Sequence, residues 1–386
     1  MDSCLSHLGS LPLLPSRRDP GGISFSGGRT GVGVGVGVSV SVLPSRRSRS
    51  LAVVAAAGAS RCEPGSSLNL PLELRSVQGK FLSSVLQNKP QLFHFAAADE
   101  LKQLADDRES AVSRMILSSG SDEACLHRRI AQLKEHYSQI AVQDIMYMLI
   151  FYKFSEIRVP LVPKLSRCIY NGRLEIWPSK DWELESVHGF DSLELIKEHV
   201  SAVIGLRVNS SVTDSWATTQ IQKLHLQRAY SASILYGYFL KSASLRHQLE
   251  SSLSNLHINQ QRPPVQYSKG PVFSCSFPAS AVQTFNQLEL KQLRQYISRF
   301  DPETFQRCAK PRSEEGRNLI ENQSLALLGQ EKGDDETIVT SFSSLKRLVL
   351  EAVAFGTFLW DAEEYVDGVF KLRENDNAEE EESSSI

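Results

Sequence analysis

The residues best suited by type to do chemistry are Cys125 and His127, the second histidine His136, and Asp144 inside the apolar run AVQDIMYMLIF. A thiol beside an imidazole could supply a nucleophile and its base. On a helix, however, neighbours on one face stand three or four residues apart, so a spacing of two sends Cys125 and His127 in different directions. His127 and His136 share the basic stretch HRRIAQLKEH, which reads as a solvated face with internal lysine–glutamate pairing. Asp99, Glu100, Asp106 and Asp107 read as exposed face in the same way. Asp144 differs, because a carboxylate buried in an apolar helix must be paired or hydrogen-bonded. A structural ion pair is expected there rather than catalysis. There is no glycine-rich phosphate loop, GxSxG elbow, HExxH pair or EF-hand loop. The cysteines, at 4, 62, 125, 168, 275 and 308, include no CxxC and suit neither a zinc site nor a disulfide framework. No catalytic, cofactor-binding or metal-binding set is expected.

The strongest candidate outside a core is RLEIWPSKDWELE, where Trp177 and Trp182 flank Pro178, Lys180 and Asp181. Exposed tryptophans rimmed by charge anchor protein interfaces. The plainer reading has both rings packing this segment onto the rest of the fold. Trp177, Lys180, Asp181 and Trp182 are the candidate partner-binding residues, and Arg158, Lys164, Arg167 and Arg173 form a local basic patch nearby.

These residues need elements to hold them. Helical spacing appears in Phe81, Leu82, Val85 and Leu86, Pro90 breaks it, and Leu92, Phe93 and Phe95 resume it. A helix capped by Ser121, with acids in its first turn, runs from the surface into the core until Pro160 and Pro163. Asn171-Gly172 between CIY and RLEIW signals a tight hairpin, a β insert near 168–188. A helix from Asp191-Ser192 to Gly205 and a long one from about Thr218 to Glu250 come next. The fold class is mainly α: a first helical module at 69–252, a proline-rich linker at 253–280, a second module at 281–370 and an acidic disordered tail at 371–386.

Parts of the two modules resemble each other. LIKEHVSAVIG at 195–205 matches LIENQSLALLG at 319–329, and YGYFL at 236 matches FGTFL at 355. Pro90 and Phe93 likewise match Pro302 and Phe305. Ser233 precedes Gly237 by one turn, as Ala352 precedes Gly356, giving each long helix a flat stripe where another helix can come close. An interior glycine costs a helix about 1 kcal/mol against alanine, so close packing should offset it. A ligand groove along the stripe is the alternative.

The first 61 residues hold seven arginines, two acids and the run GVGVGVGVSVSV. That composition is what a plastid or mitochondrial transit peptide looks like, its serine and glycine content favouring the plastid, with a processing zone between Ala52 and Cys62. Its removal takes the net charge from −2 to −7, which argues against general nucleic-acid binding. No apolar run reaches the roughly 18–20 residues that a membrane span requires. A soluble protein of the chloroplast stroma is expected.

The leader, the block HRRIAQLKEHYSQIAVQDIMYMLIFYKFSEIRVPLVPKLSRCIYNGRLEIWPSKDWELES and YGYFLKSASLRHQLE together resemble the plant chloroplast UV-B-induced protein family, with its domain of unknown function 760. The likeness covers nearly all of 70–370. It implies chloroplast residence and a link to light stress, and carries no catalytic residue. The family pattern falls on Gly205, Gly237, Tyr238, Phe239, Leu240 and Ala243, whereas Thr357 and Trp360 depart from it in the second copy. The expected function is non-catalytic interaction or regulation with other chloroplast proteins. The alternative is binding of a small apolar or pigment-like ligand between helices, conceivably by an unrecognised enzyme.

Overall fold

A computed structural model describes residues 70–205, 217–260, 292–329 and 337–373, and all of them fall within one compact unit spanning 63–386. The expected leader, part of the expected linker and the tail beyond Arg373 lie outside the described residues. The fold is mainly α, as expected, with one small sheet.

Ser76 starts helix α1 (Val77–Asn88) by accepting the Gly79 N–H on its hydroxyl. Pro90 opens a 3₁₀ turn, and α2 (Phe93–Leu117) then pairs with α3 (Ala124–Glu156). The cap expected at Ser121 is not there. Glu123 holds the cap position of α3 without a side-chain bond, while the Ser121 hydroxyl donates backward to the Ser118 carbonyl. Every residue from Ala141 to Ile150 is buried, so α3 does pass from surface to core.

The hairpin forms where Asn171-Gly172 places it. Both residues have positive φ, 52° and 74°, and they join β1 (Ile169–Tyr170) to β2 (Arg173–Leu174). A short α4 (Asp181–Glu185) leads to α5 (Phe190–Ile204), which Gly205 ends at φ 73°. The stretch expected to begin the long helix instead starts as a strand, β3 (Thr218–Gln222), and α6 (Lys223–Gln260) succeeds it. Helix α6 continues past residue 253, where a linker is expected. A helical turn at 292–297, α7 (Pro302–Ala309), α8 (Glu314–Leu328), β4 (Thr337–Ser341) and α9 (Phe342–Asp367) complete the described chain.

The sheet order is β1-β2-β4-β3. Strand β4 runs parallel to β2 and antiparallel to β3. The sequence offset that carries Gly237 to Gly356 also carries β3 onto β4 and the start of α6 onto the start of α9. In the β3–β4 ladder the equivalent residues Gln220 and Val339 pair with each other. The two copies therefore meet about a local two-fold axis, as identical subunits do in an isologous dimer.

The long helices repeat that relationship. A Cβ on Gly237 would lie 2.0 Å from the Val353 carbonyl oxygen, and a Cβ on Gly356 would lie 1.9 Å from that of Ile234. Ile234 and Val353 are themselves equivalent positions, so each glycine seats the backbone of the other copy's helix. Helix α5 packs on α9, and α8 on α6, so each copy covers the other's central helix. Every residue from Arg347 to Leu359 is buried, which makes α9 the axis of the core.

Candidate functional site

Asp144 is buried, but its partner is not an ion. Its Oδ2 accepts the backbone N–H groups of Arg75 and Ser76, at 2.8 and 2.6 Å, and the Ser76 hydroxyl at 2.7 Å. The Arg75 guanidinium turns instead to Gln143. A second carboxylate does the same work elsewhere. Glu363 of α9 accepts the Ser313 N–H and hydroxyl, and Ser313 caps α8 by accepting from Gly316. The segments RSVQG at 75–79 and RSEEG at 312–316 thus start two helices with one device. Sequence reading missed it because each acceptor lies far along the chain from its serine. Both carboxylates are committed to folding.

The remaining candidates divide in the same way. Cys125 is exposed, and His127 lies 3.6 Å from Glu123, so the pair shares no site. Lys134 bonds Asp107 and Glu135 bonds Arg373, so the basic stretch pairs with other elements and not internally. Ser233 and Ala352 are fully buried, and with Gly237 and Gly356 they form the helix crossing. In the basic patch Lys164 pairs with Glu73 and Arg173 with Glu175. Among the described residues no group of three or more His, Cys, Asp and Glu is placed to hold a metal ion.

The tryptophan insert keeps its candidate residues on the surface. Leu174 and Leu184 are fully buried beneath it. Strand β2 joins the sheet beside β4, the Thr340 hydroxyl donates to the Leu174 carbonyl, and Ile176 N–H donates to the Ser344 hydroxyl. Lys346 of α9 reaches Asp181 at 2.8 Å and Glu185 at 3.4 Å. Burial lowers the Lys346 ammonium's affinity for its proton, but these two carboxylates outweigh it, so its pKa is raised. Lys180 bonds Glu183 at 2.6 Å. Lys180 and Asp181 are thus occupied in holding the insert, while Trp177 and Trp182 stand 84% and 80% exposed. Tyr170 and Ile169, on edge strand β1, are also exposed. Sequence reading passed over these two, although a two-residue strand at a sheet edge has no neighbour to cover it.

A groove of about 410 Å³ lies between α5, α6, α7 and the turn at 292–297. Leu195, Leu235, Phe239, Ile297 and Phe305 give it an apolar lining. Its polar members are engaged within the protein. His199 stacks on Tyr236 at 4.1 Å and reaches the Ser233 hydroxyl at 3.0 Å, while the Tyr236 hydroxyl donates to the Leu195 carbonyl. Burial lowers the His199 pKa and pushes that of Tyr236 up to about 12. The groove runs along the flank of α6, and the small-residue stripe itself is filled by α9.

No described helix is long and apolar enough to cross a membrane. No solved structure matches the chain. A relative from Arabidopsis thaliana, described as a chloroplastic UV-B-induced protein, is 36% identical over 345 residues, covering 82% of this chain and 81% of the relative. The model of a protein family of unknown function, DUF760, matches residues 125–253 and 292–367. These two segments contain the paired glycines, the insert, α6 as far as residue 253 and all of α9. By this match and by its similarity to that relative, the chain belongs to the DUF760 family.

Proposed function

We propose that this protein is a non-catalytic interaction protein of the chloroplast stroma, linked to UV-B and light stress, that docks partners through the tryptophan insert. Chloroplast residence and the UV-B link rest on the description of the Arabidopsis thaliana relative; the stroma and the wider light-stress role are this reading's own extension. The docking surface rests on one observation: Trp177 and Trp182 are 84% and 80% exposed on an insert that Lys346, Leu174 and Leu184 fix to the central helix. A large rigid ring presented this way loses little entropy on binding and brings much apolar area.

A photo-crosslinking residue at position 182, illuminated in chloroplast extract, tests the reading. The expected product is a discrete adduct that Trp177→Ala abolishes. The same crosslinker at exposed Leu117 on α2 should not give it. Equal adducts from both positions would sink the reading.

The apolar groove beside Tyr236 and Phe239 supports a second reading, in which a small apolar ligand lies along α6. Its volume suits such a ligand. Native mass spectrometry of protein isolated gently from chloroplasts separates the two. A mass excess of small-molecule size that vanishes on denaturation favours the groove, and one of whole subunits favours the insert.

A further inference from the structure

We propose that the acidic segment 374–386 docks on the basic face at the start of α3 in its own chain, as an electrostatic latch. The described chain ends at Arg373 in a fixed place. Phe370 is buried beneath the Arg108 guanidinium, 4.3 Å from its ring centroid. Arg108 Nη1 donates to the Lys371 carbonyl at 3.0 Å, and Glu314 N–H donates to the Arg373 carbonyl at 3.2 Å. Arg373 itself bonds Glu135 of α3 at 3.1 Å. The chain is therefore delivered onto the C-terminal end of HRRIAQLKEH.

Beyond Arg373 the sequence reads ENDNAEEEESSSI, with six acids and no base. Ahead of Glu135, by contrast, α3 is basic. Arg128 stands seven residues earlier, two helical turns and about 10 Å away on the same face. Arg129 adjoins it, both are exposed, and among the described residues neither has a carboxylate partner. Lys134, six residues beyond Arg128, lies on the other flank of the helix with Asp107 as its present partner. Thirteen residues of extended chain reach about 40 Å, several times the distance needed. Tethering about 10 Å from Arg128 gives these acids an effective concentration no free anion matches at ordinary levels.

Carbodiimide crosslinking of the full chain, read by mass spectrometry, tests the latch. Lys134, next to the Glu135 that anchors Arg373, is the amine the segment must pass, and Glu379 to Glu382 are the expected carboxylates. An equal mixture of ¹⁵N-labelled and unlabelled chains distinguishes contacts within a chain from those between copies. The expected result is a Lys134–tail link within one chain. Its yield should fall at least about fivefold in Arg128→Glu/Arg129→Glu, and similarly for the unaltered chain near 1 M salt, where the screening length shrinks to roughly 3 Å. The salt arm needs no substitution, so it holds even where the charge reversal perturbs the helix. Tail links spread evenly over distant lysines such as Lys197 and Lys241, links only between chains, or yields indifferent to both treatments would overturn the proposal.

Discussion

Gly237 lies so close to Val353 that a methyl group on its α-carbon would stand 2.0 Å from the Val353 carbonyl oxygen. The obstacle is backbone inside a buried helix, so no rotamer change relieves it. Gly356 meets Ile234 in the equivalent way, and the two contacts are one interface seen from both sides. Gly237→Ala and Gly356→Ala should each cost about 3 kcal/mol or more, at or above the upper end for an overpacked core because the obstacle is backbone. Gly368 provides the control, since it is helical at φ −65° and a Cβ there meets nothing nearer than 3.5 Å. Gly368→Ala should leave stability unchanged or raise it by about 0.5 kcal/mol. Urea midpoints at constant slope report all three, and an unperturbed Gly237→Ala would refute the close crossing.

The two serine caps predict an asymmetry between residues that look like a salt bridge in the sequence. Asp144 takes three hydrogen bonds from the Arg75–Ser76 backbone and hydroxyl, and none from the Arg75 side chain. Asp144→Ala strands buried donors and should cost about 2–4 kcal/mol, whereas Arg75→Ala should cost about 0.5 kcal/mol. Glu363→Ala should behave like Asp144→Ala, because it removes the acceptor for Ser313. Equal losses for Arg75→Ala and Asp144→Ala would restore the ion-pair view.

Arg347 and Glu351 form a buried ion pair one turn apart in α9, with Nη1 and Oε2 at 2.8 Å. Arg347 also donates to the Pro160 carbonyl, and Glu351 accepts the Val162 N–H, so the pair ties α9 to the chain leaving α3. Burial pushes the Glu351 carboxyl above its usual range despite the neighbouring guanidinium. Removing one partner leaves an uncompensated buried charge. Arg347→Met should therefore cost about 3–5 kcal/mol, while the double change Arg347→Met/Glu351→Leu should recover much of the loss. A double-mutant cycle measures that recovery, and strictly additive losses would rule the coupling out.

The sequence was most legible where one residue's own conformational limits decide the outcome. Asn171-Gly172 fixes the hairpin because few other residues adopt its positive φ angles. Gly237 and Gly356 announce a close approach because nothing else justifies glycine in such helices. Their mutual pairing was not legible, since spacing along one helix does not name the helix opposite. Strand β3 was missed for a related reason. TTQIQ is short and polar, and it becomes a strand only because β4, distant in sequence, supplies its hydrogen bonds. Asp144 shows the limit for sites. Its burial demanded a partner, but electroneutrality pointed to a cation where the fold supplies a serine and two amides. For the insert, the rings were visible in the sequence, but their exposure depends on how Leu174 and Leu184 seat it.

His188, between α4 and α5, gives a pH dependence whose direction is set by its surroundings. Its Nε2 is buried and has no hydrogen-bond partner among the described residues. Burial first, and the charge of Lys241 second, lower its pKa from 6.5 to about 4. The folded protein thus resists the proton, while the unfolded chain accepts it near the ordinary value. Above pH 6.5 neither state holds the proton, and His188 leaves stability unchanged. As pH falls from 6.5 toward 4, only the unfolded state takes it up, so stability drops. Once both states are protonated the loss stops growing, at about 3 kcal/mol. His188→Gln cannot take up this proton, and the carboxylates that titrate lower in the range are common to both proteins. The difference between the two stability curves should therefore be level near neutrality and shift progressively in favour of His188→Gln as the solution is acidified. Parallel curves across that interval would mean that the ring is solvated in the folded state.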